Sequence, residues 1–268
     1  AYARIHRLPA ATAFRYDYEL HSIKFREYWA PQFPVEISEE SEGSNEEVRQ
    51  ALQSATRRWL QSDVEVGFSL SGGLDSTSLL GLAGSGQRFK TYSLGFEEEW
   101  ADDERLIARE VSKHFGSDHR ELVLSGTDVA QGLPAMVSSL DEPYAGGLPS
   151  WFIFQAMSAE VKVAVTGTGG DELFGNYGKA LAYRASSSQV RRLARNLRTS
   201  GSVSDVKSPF AFLYPLAIRQ SLKKKLLSRD FLDQVEPAER ILRNHHSSNR
   251  SLPIEQSIAR FDLGHQLP

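Results

Sequence analysis

The chain has 268 residues, 40% of them hydrophobic and 24% charged, and a formal net charge of −3, enough for one large α/β domain or two smaller ones. The balance leaves no basic footprint for nucleic acid. The lack of any cysteine excludes disulfides, thiolate metal sites and a cysteine nucleophile within these residues. No apolar run approaches the roughly 20 residues of a spanning helix, and residues 1–9 hold no uninterrupted apolar signal core, so the expectation is a cytoplasmic, non-membrane protein. The chain starts at Ala1 and stops at Pro268 without a helix stop signal, which reads as a fragment.

Residues 1–30 alternate apolar and polar positions loosely, as in Thr12-Ala13-Phe14-Arg15-Tyr16-Asp17-Tyr18, and suit a hairpin. Residues 36–45 are acidic and Ser-rich and read as a solvated linker. A cap at Ser44 with Glu46 and Glu47 behind it opens an amphipathic helix, with Val48, Leu52, Ala55, Trp59 and Leu60 spaced for one buried face. Strands are predicted over 65–70, 89–96, 119–124 and 161–166, and helices over 76–83, 102–115, 128–140 and 151–160. Such alternation implies α/β architecture: a parallel twisted sheet with helices on both faces. Residues 179–268 are helical by propensity, broken by short Ser runs and Pro209.

Ser71-Gly72-Gly73-Leu74-Asp75-Ser76 falls between a predicted strand and a predicted helix, at the sheet edge where ligands bind in open α/β folds. Two glycines let the backbone turn tightly and approach phosphate oxygens, while helix-start amides and the Ser71 and Ser76 hydroxyls donate to an anion. Asp75 would repel bare phosphate, and makes sense there if Mg²⁺ lies between it and pyrophosphate oxygens. The bland alternative is a glycine-rich connection whose Ser and Asp serve only as helix caps.

The hexapeptide resembles the pyrophosphate loop of the N-type ATP pyrophosphatases, and further segments narrow the likeness to asparagine synthetases. These are Tyr92-Ser93-Leu94-Gly95-Phe96, Asp103-Glu104, His114-Phe115-Gly116-Ser117-Asp118-His119, and Leu140-Asp141-Glu142-Pro143 with Leu148-Pro149-Ser150. A second glycine loop, Thr166-Gly167-Thr168-Gly169-Gly170-Asp171-Glu172-Leu173-Phe174-Gly175-Asn176-Tyr177, completes the order. The resemblance implies an adenine nucleotide alpha hydrolase-like core at 44–178. It also implies a connecting segment at 1–43 that follows a missing glutaminase domain, and a C-terminal helical region at 179–268 that is cut short. It implies ATP and Mg²⁺ as cofactors, and a small-molecule carboxylate and an amine donor as substrates, the carboxylate being adenylated before the amine attacks.

By the same resemblance, Leu70 and Leu94 line the adenine pocket, and both also suit a core. Ser71, Gly72, Gly73 and Ser76 cradle phosphate, Gly95, Thr166 and Gly167 face the nucleotide, and Asp75 and Asp171 hold Mg²⁺ and pyrophosphate. The family carries glutamate in its second glycine loop where this chain has Thr168, and a hydroxyl cannot take a proton from ammonium at neutral pH. Either Glu142 or Asp141 takes that task or the amine differs, unless both acids only cap a turn. Two rival readings stay open: a macrolactam or other amide-forming synthetase, and a non-catalytic nucleotide-binding subunit. His114 and His119 read as structural for want of a third ligand. The arginines at 191, 192, 195 and 198 and the lysines at 223–225 read as solvated faces rather than docking surfaces.

Overall fold

A computed structural model describes residues 5, 8–32, 44–84, 86–97, 103–140, 147–175, 178–179, 225, 228–229 and 252–265. The acidic linker up to residue 43, Asp141, Glu142 and the arginine stripe lie outside these, as does nearly all of the predicted C-terminal helical region before residue 252. The chain divides into two compact units, one of Ala1–Arg7 with Ser38–Thr168 and one of Leu8–Ile37 with Gly169–Pro268.

The first unit is built on a four-stranded parallel sheet in the order β5-β4-β3-β6. Its strands are β3 (Val66–Ser69), β4 (Lys90–Phe96), β5 (Asp118–Leu124) and β6 (Val163–Val165), and its helices are α1 (Ser44–Trp59), α2 (Leu74–Ala83), α3 (Arg105–Phe115), α4 (Gly126–Leu140) and α5 (Leu148–Ser158). The strands and helices expected from hydrophobic period are thus present, in the expected order. Pairing is continuous, with Phe68 beside Thr91 and beside Val165, and Thr91 beside His119.

Side chains alternate across a strand, so each face of the sheet carries its own core. On one face Phe68, Leu70, Leu80, Phe89 and Ala108 are buried together, with Leu60 and Val111 packed against them. The rings of Phe68 and Phe89 meet edge-on at 5.0 Å. On the other face Tyr92 packs with Ile153, Met157 and Val161 beneath α5, and Leu94 lies against them. Each large side chain sealed in this way contributes roughly 1.5–3 kcal/mol relative to an exposed one.

The predicted buried face of α1 needs correction. Thr56 is its buried position, while Val48 and Trp59 are exposed. Thr56 lies one turn from Leu52, donates to its carbonyl at 2.8 Å, and lies on the same side as Leu60. Trp59, 100° from Leu60 around the helix, points off that stripe.

In the second unit, β1 (Thr12–Asp17) and β2 (Ser22–Glu27) form the antiparallel hairpin anticipated from the alternation, Phe14 opposite Phe25. Asp17 accepts from the amides of Glu19 and Leu20 at 3.1 and 3.0 Å and so shapes the turn. A short helix α6 (Gly170–Phe174) packs against α7 (Ile254–His265). Among the described residues no helix is long and apolar enough to cross a membrane.

Candidate functional site

The order of the strands decides where a site can open. The chain lays β4 and then β5 on one side of β3, and crosses to place β6 on the other side. The succession therefore reverses between β3 and β6. In open α/β sheets ligands bind beyond the carboxyl ends of the strands at such a reversal. The first glycine loop leaves β3 and the second leaves β6, so both stand at this point.

They also touch. A Cβ placed on Gly167 would lie 2.9 Å from the Ser76 amide nitrogen and 3.0 Å from the Asp75 Cβ. Only a residue without a side chain allows one backbone so near another. Thr166 Oγ1 accepts from the Thr168 amide at 3.3 Å, which turns the second loop immediately after its strand. Thr168 itself is exposed.

Within the first loop, Gly72 has φ +83°, and a Cβ there would meet the Ala108 amide nitrogen at 2.8 Å. Glycine is required twice over, by the left-handed backbone and by the tip of α3 pressing on it. The Gly73 amide donates to Ser71 Oγ at 3.2 Å, and the Ser71 amide donates to Ser76 Oγ at 3.2 Å. The two hydroxyls lie 3.1 Å apart, and Ser76 Oγ also donates to the Gly73 carbonyl at 3.3 Å. Buried Ser76 thus holds the turn together from inside, whereas Ser71 stands at the surface.

Gly73 is the N-cap of α2 and offers no side-chain cap. The helical ladder opens with the Thr77 amide donating to Gly73 at 3.1 Å, so the amides just ahead of it lie outside the ladder at the positive end of the helix dipole. That arrangement attracts anions. Asp75 sits half-buried in the same first turn.

The remaining sequence candidates divide by surroundings. Leu70 is fully buried and its amide donates to the Tyr92 carbonyl at 2.7 Å, so what it can offer a nucleotide is its own carbonyl. Leu94 is half-buried on the α5 face. Gly95 has a local explanation that sequence reasoning missed, because a Cβ there would collide with the Arg105 side chain. Arg105 lies over that strand end and donates to the Phe96 carbonyl at 3.3 Å. It also forms a two-pronged pair with Asp103, with Nη2–Oδ2 at 2.6 Å. Hydrogen bonds from Arg105 lower the Asp103 pKa. A glycine inside a strand signals such an approach, although the partner could not be read from it. Asp171 is half-buried in α6, in the second unit.

His119 is held by hydroxyls. Its Nδ1 lies 2.9 Å from Thr91 Oγ1 and its Nε2 3.2 Å from Ser93 Oγ, and burial lowers its pKa. His114 is exposed with its ring edge-on to Phe115.

The donor chemistry of the loop fits Mg²⁺. That cation is usually held by one or two carboxylates together with water and substrate phosphate rather than by a protein cage. Asp75 supplies a carboxylate beside the anion-attracting amides. The described residues hold no cluster of three or more acidic or histidine side chains, a cage that Mg²⁺ bound in this manner does not need.

Comparison with known proteins places the sequence in a family. A family model described as asparagine synthase matches residues 47–262. Asparagine synthetase [glutamine-hydrolyzing] 1 of Bacillus subtilis is 34% identical over 159 residues, which cover 58% of this chain and 25% of that protein. The asparagine synthetase [glutamine-hydrolyzing] of Asparagus officinalis is 28% identical over 176 residues, 60% of this chain and 29% of the plant protein. Amidase chyE of Penicillium rubens is 28% identical over 171 residues, 56% of this chain and 25% of the fungal protein. The chain thus matches a quarter to just under a third of the length of each.

Proposed function

Since the chain belongs to the asparagine synthase family, we propose that it is an ATP-dependent amide ligase that adenylates a carboxylate, aspartate first among candidates, and passes the acyl group to ammonia or another amine. The observation that carries this reading is the contact of Gly167 with Asp75 and Ser76 at the strand-order reversal. It joins two glycine-rich turns into one backbone cradle.

In this reading the helix-start amides of α2 and the Ser71 hydroxyl hold the β- and γ-phosphates, and Asp75 and, by resemblance, Asp171 are the carboxylates for Mg²⁺. Bound Mg²⁺ would offset charge on pyrophosphate oxygens. A carboxylate oxygen of the acid attacks the α-phosphorus. The bond from that phosphorus to the bridging oxygen breaks, and pyrophosphate leaves with the electron pair. The amine nitrogen then attacks the acyl carbon, the acyl–oxygen bond to AMP breaks, and the nitrogen loses a proton. Backbone donors fixed before reaction favour the charge developing on the leaving group without reorganising.

Thr168 cannot accept the amine's proton, so Glu142, with Asp141 beside it, is the proposed base. The segment arrangement of 1–43, 44–178 and 179–268 belongs to the same reading, as do a cytoplasmic setting and ammonia supplied by a glutaminase domain.

Exchange of labelled pyrophosphate into ATP tests the proposal on the full-length protein. Exchange driven by aspartate supports it. Exchange driven only by larger acids favours a macrolactam-type or other amide-forming synthetase, a reading that Thr168 favours and that sits well with the fungal amidase among the relatives. ATP binding without exchange under any acid marks a nucleotide-binding subunit and refutes catalysis.

A further inference from the structure

The second unit contains an ion pair whose burial exceeds what a surface contact provides. Lys179 Nζ lies 2.8 Å from Asp262 Oδ1, and their side chains are 14% and 2% exposed. The partners come from distant parts of the chain. Lys179 follows α6, while Asp262 is carried by α7, the helix against which α6 packs.

The helix between Gly169 and Gly175 is too short to hold its own position. It spans five residues and starts and ends at glycines with φ +99° and +67°. Helices below roughly 12 residues are marginal alone, so tertiary contacts must hold α6. One of its residues, Glu172, is buried, while Leu173 and Phe174 are exposed. α7 offers a firmer base, with Ser257, Ile258, Phe261 and Asp262 all buried.

We propose that Lys179 and Asp262 are a positioning pair that fixes α6, and with it Asp171, against α7. The proposal rests on the reading of this chain as an adenylating ligase in which Asp171 takes part. A hydrophobic contact alone would leave the short helix free to slide along its neighbour. A buried charge-assisted bond is directional, and removing one partner takes away the bond that sets the position of Lys179 on Asp262. Displacement of a reacting arrangement by about 1 Å costs about 100-fold in rate.

The test uses full-length protein bearing Asp262→Asn, Lys179→Met, Lys179→Arg or the double replacement Lys179→Met/Asp262→Leu, with Arg260→Gln on the exposed side of α7 as control. Both neutralising single variants are expected to lose about 100-fold in kcat for pyrophosphate exchange with the KM for ATP changed less than about threefold. Their amide hydrogens at 169–175 should exchange faster while those at 66–83 keep their protection. Lys179→Arg, which keeps the charge, should retain both properties, and serves should Asp262→Asn not fold. In the double variant the loss of protection at 169–175 should be smaller than the sum of the two single losses, as expected where both residues act through one bond.

Protection lost evenly at 66–83 and 169–175 would show general destabilisation and overturn the proposal, as would turnover lost with 169–175 still protected. If wild-type protein shows no exchange with any acid, the ligase reading fails, and hydrogen exchange alone still decides whether the pair fixes α6.

Discussion

Replacing Gly167 by alanine probes the contact between the two glycine loops with a single added carbon. The new Cβ would sit 2.9 Å from the Ser76 nitrogen and 3.0 Å from the Asp75 Cβ, about 0.5 Å inside ordinary van der Waals contact at the nearer atom. Both neighbours belong to the first turn of α2, which the Ser71–Ser76 hydrogen bonds hold, so the second loop must retreat. Gly167 needs no left-handed backbone, which leaves steric displacement as the principal cause. Overpacking of this kind costs about 1–3 kcal/mol. If the cost falls on the bound state, ATP affinity or the exchange rate drops between about 5-fold and 150-fold. Titration calorimetry with Mg²⁺-ATP and pyrophosphate exchange would measure it. Unchanged affinity together with an unchanged rate would show that nothing binds where the loops meet.

Gly72→Ala adds a left-handed penalty to a clash with the Ala108 amide and should destabilise the protein by about 2–4 kcal/mol; a thermal midpoint matching wild type would contradict the loop geometry. Asp75→Asn should weaken Mg²⁺-ATP binding about 10-fold or more while leaving binding of metal-free ATP less affected. Calorimetry with and without Mg²⁺ measures both, and equal loss in the two conditions would argue against a metal-linked role. Gly264→Ala, inside α7 where a Cβ meets nothing within 4 Å, should raise stability by about 0.5–1 kcal/mol; a lowered midpoint would refute the open placement.

The pH prediction concerns His119. Burial lowers its pKa in the folded chain, Glu121 opposing that and Arg109 adding to it. Below the ordinary value of 6.5 the unfolded chain binds more protons at this site than the folded one, so stability should fall as pH drops through that range. Glu121 and Asp103 have lowered pKa values and lose their contribution only at more acidic pH. Melting curves between pH 7.5 and 5.5 should therefore slope less steeply for His119→Gln than for wild type; parallel curves would refute this.

Sequence period placed the parallel sheet and its helices because apolar runs, glycines and caps all act locally. It also found both glycine loops, since a tight anion-facing turn restricts which residues can stand there. It did not place Trp59, because apolar spacing over residues 48–60 shows a stripe without showing which side α2 will meet. Nor did it give the partners of Gly95 and Gly72, since a missing Cβ announces a close approach and says nothing of what approaches. Arg105 and Ala108 come from a helix that begins after the strand has ended, and only the crossover brings them back.

Strand β4 shows why the polar interior was harder still. Buried parallel strands are expected to be apolar on both faces, yet Thr91 and Ser93 are buried and face α3. They are tolerated because β5 sets His119 directly beside Thr91 and its two ring nitrogens meet both hydroxyls. Ser117 extends the chain, 2.9 Å from Thr91 Oγ1 and donating to Ser112 Oγ at 2.8 Å at the end of α3. Each polar group has its partner on a different element, so none could be recognised as satisfied before strand register was known. Satisfied buried networks of this sort fix a unique register more strictly than apolar packing does. A one-residue slip of β5 against β4 would turn His119 to the other face, taking its ring from both hydroxyls beneath α3, the helix whose tip presses on Gly72.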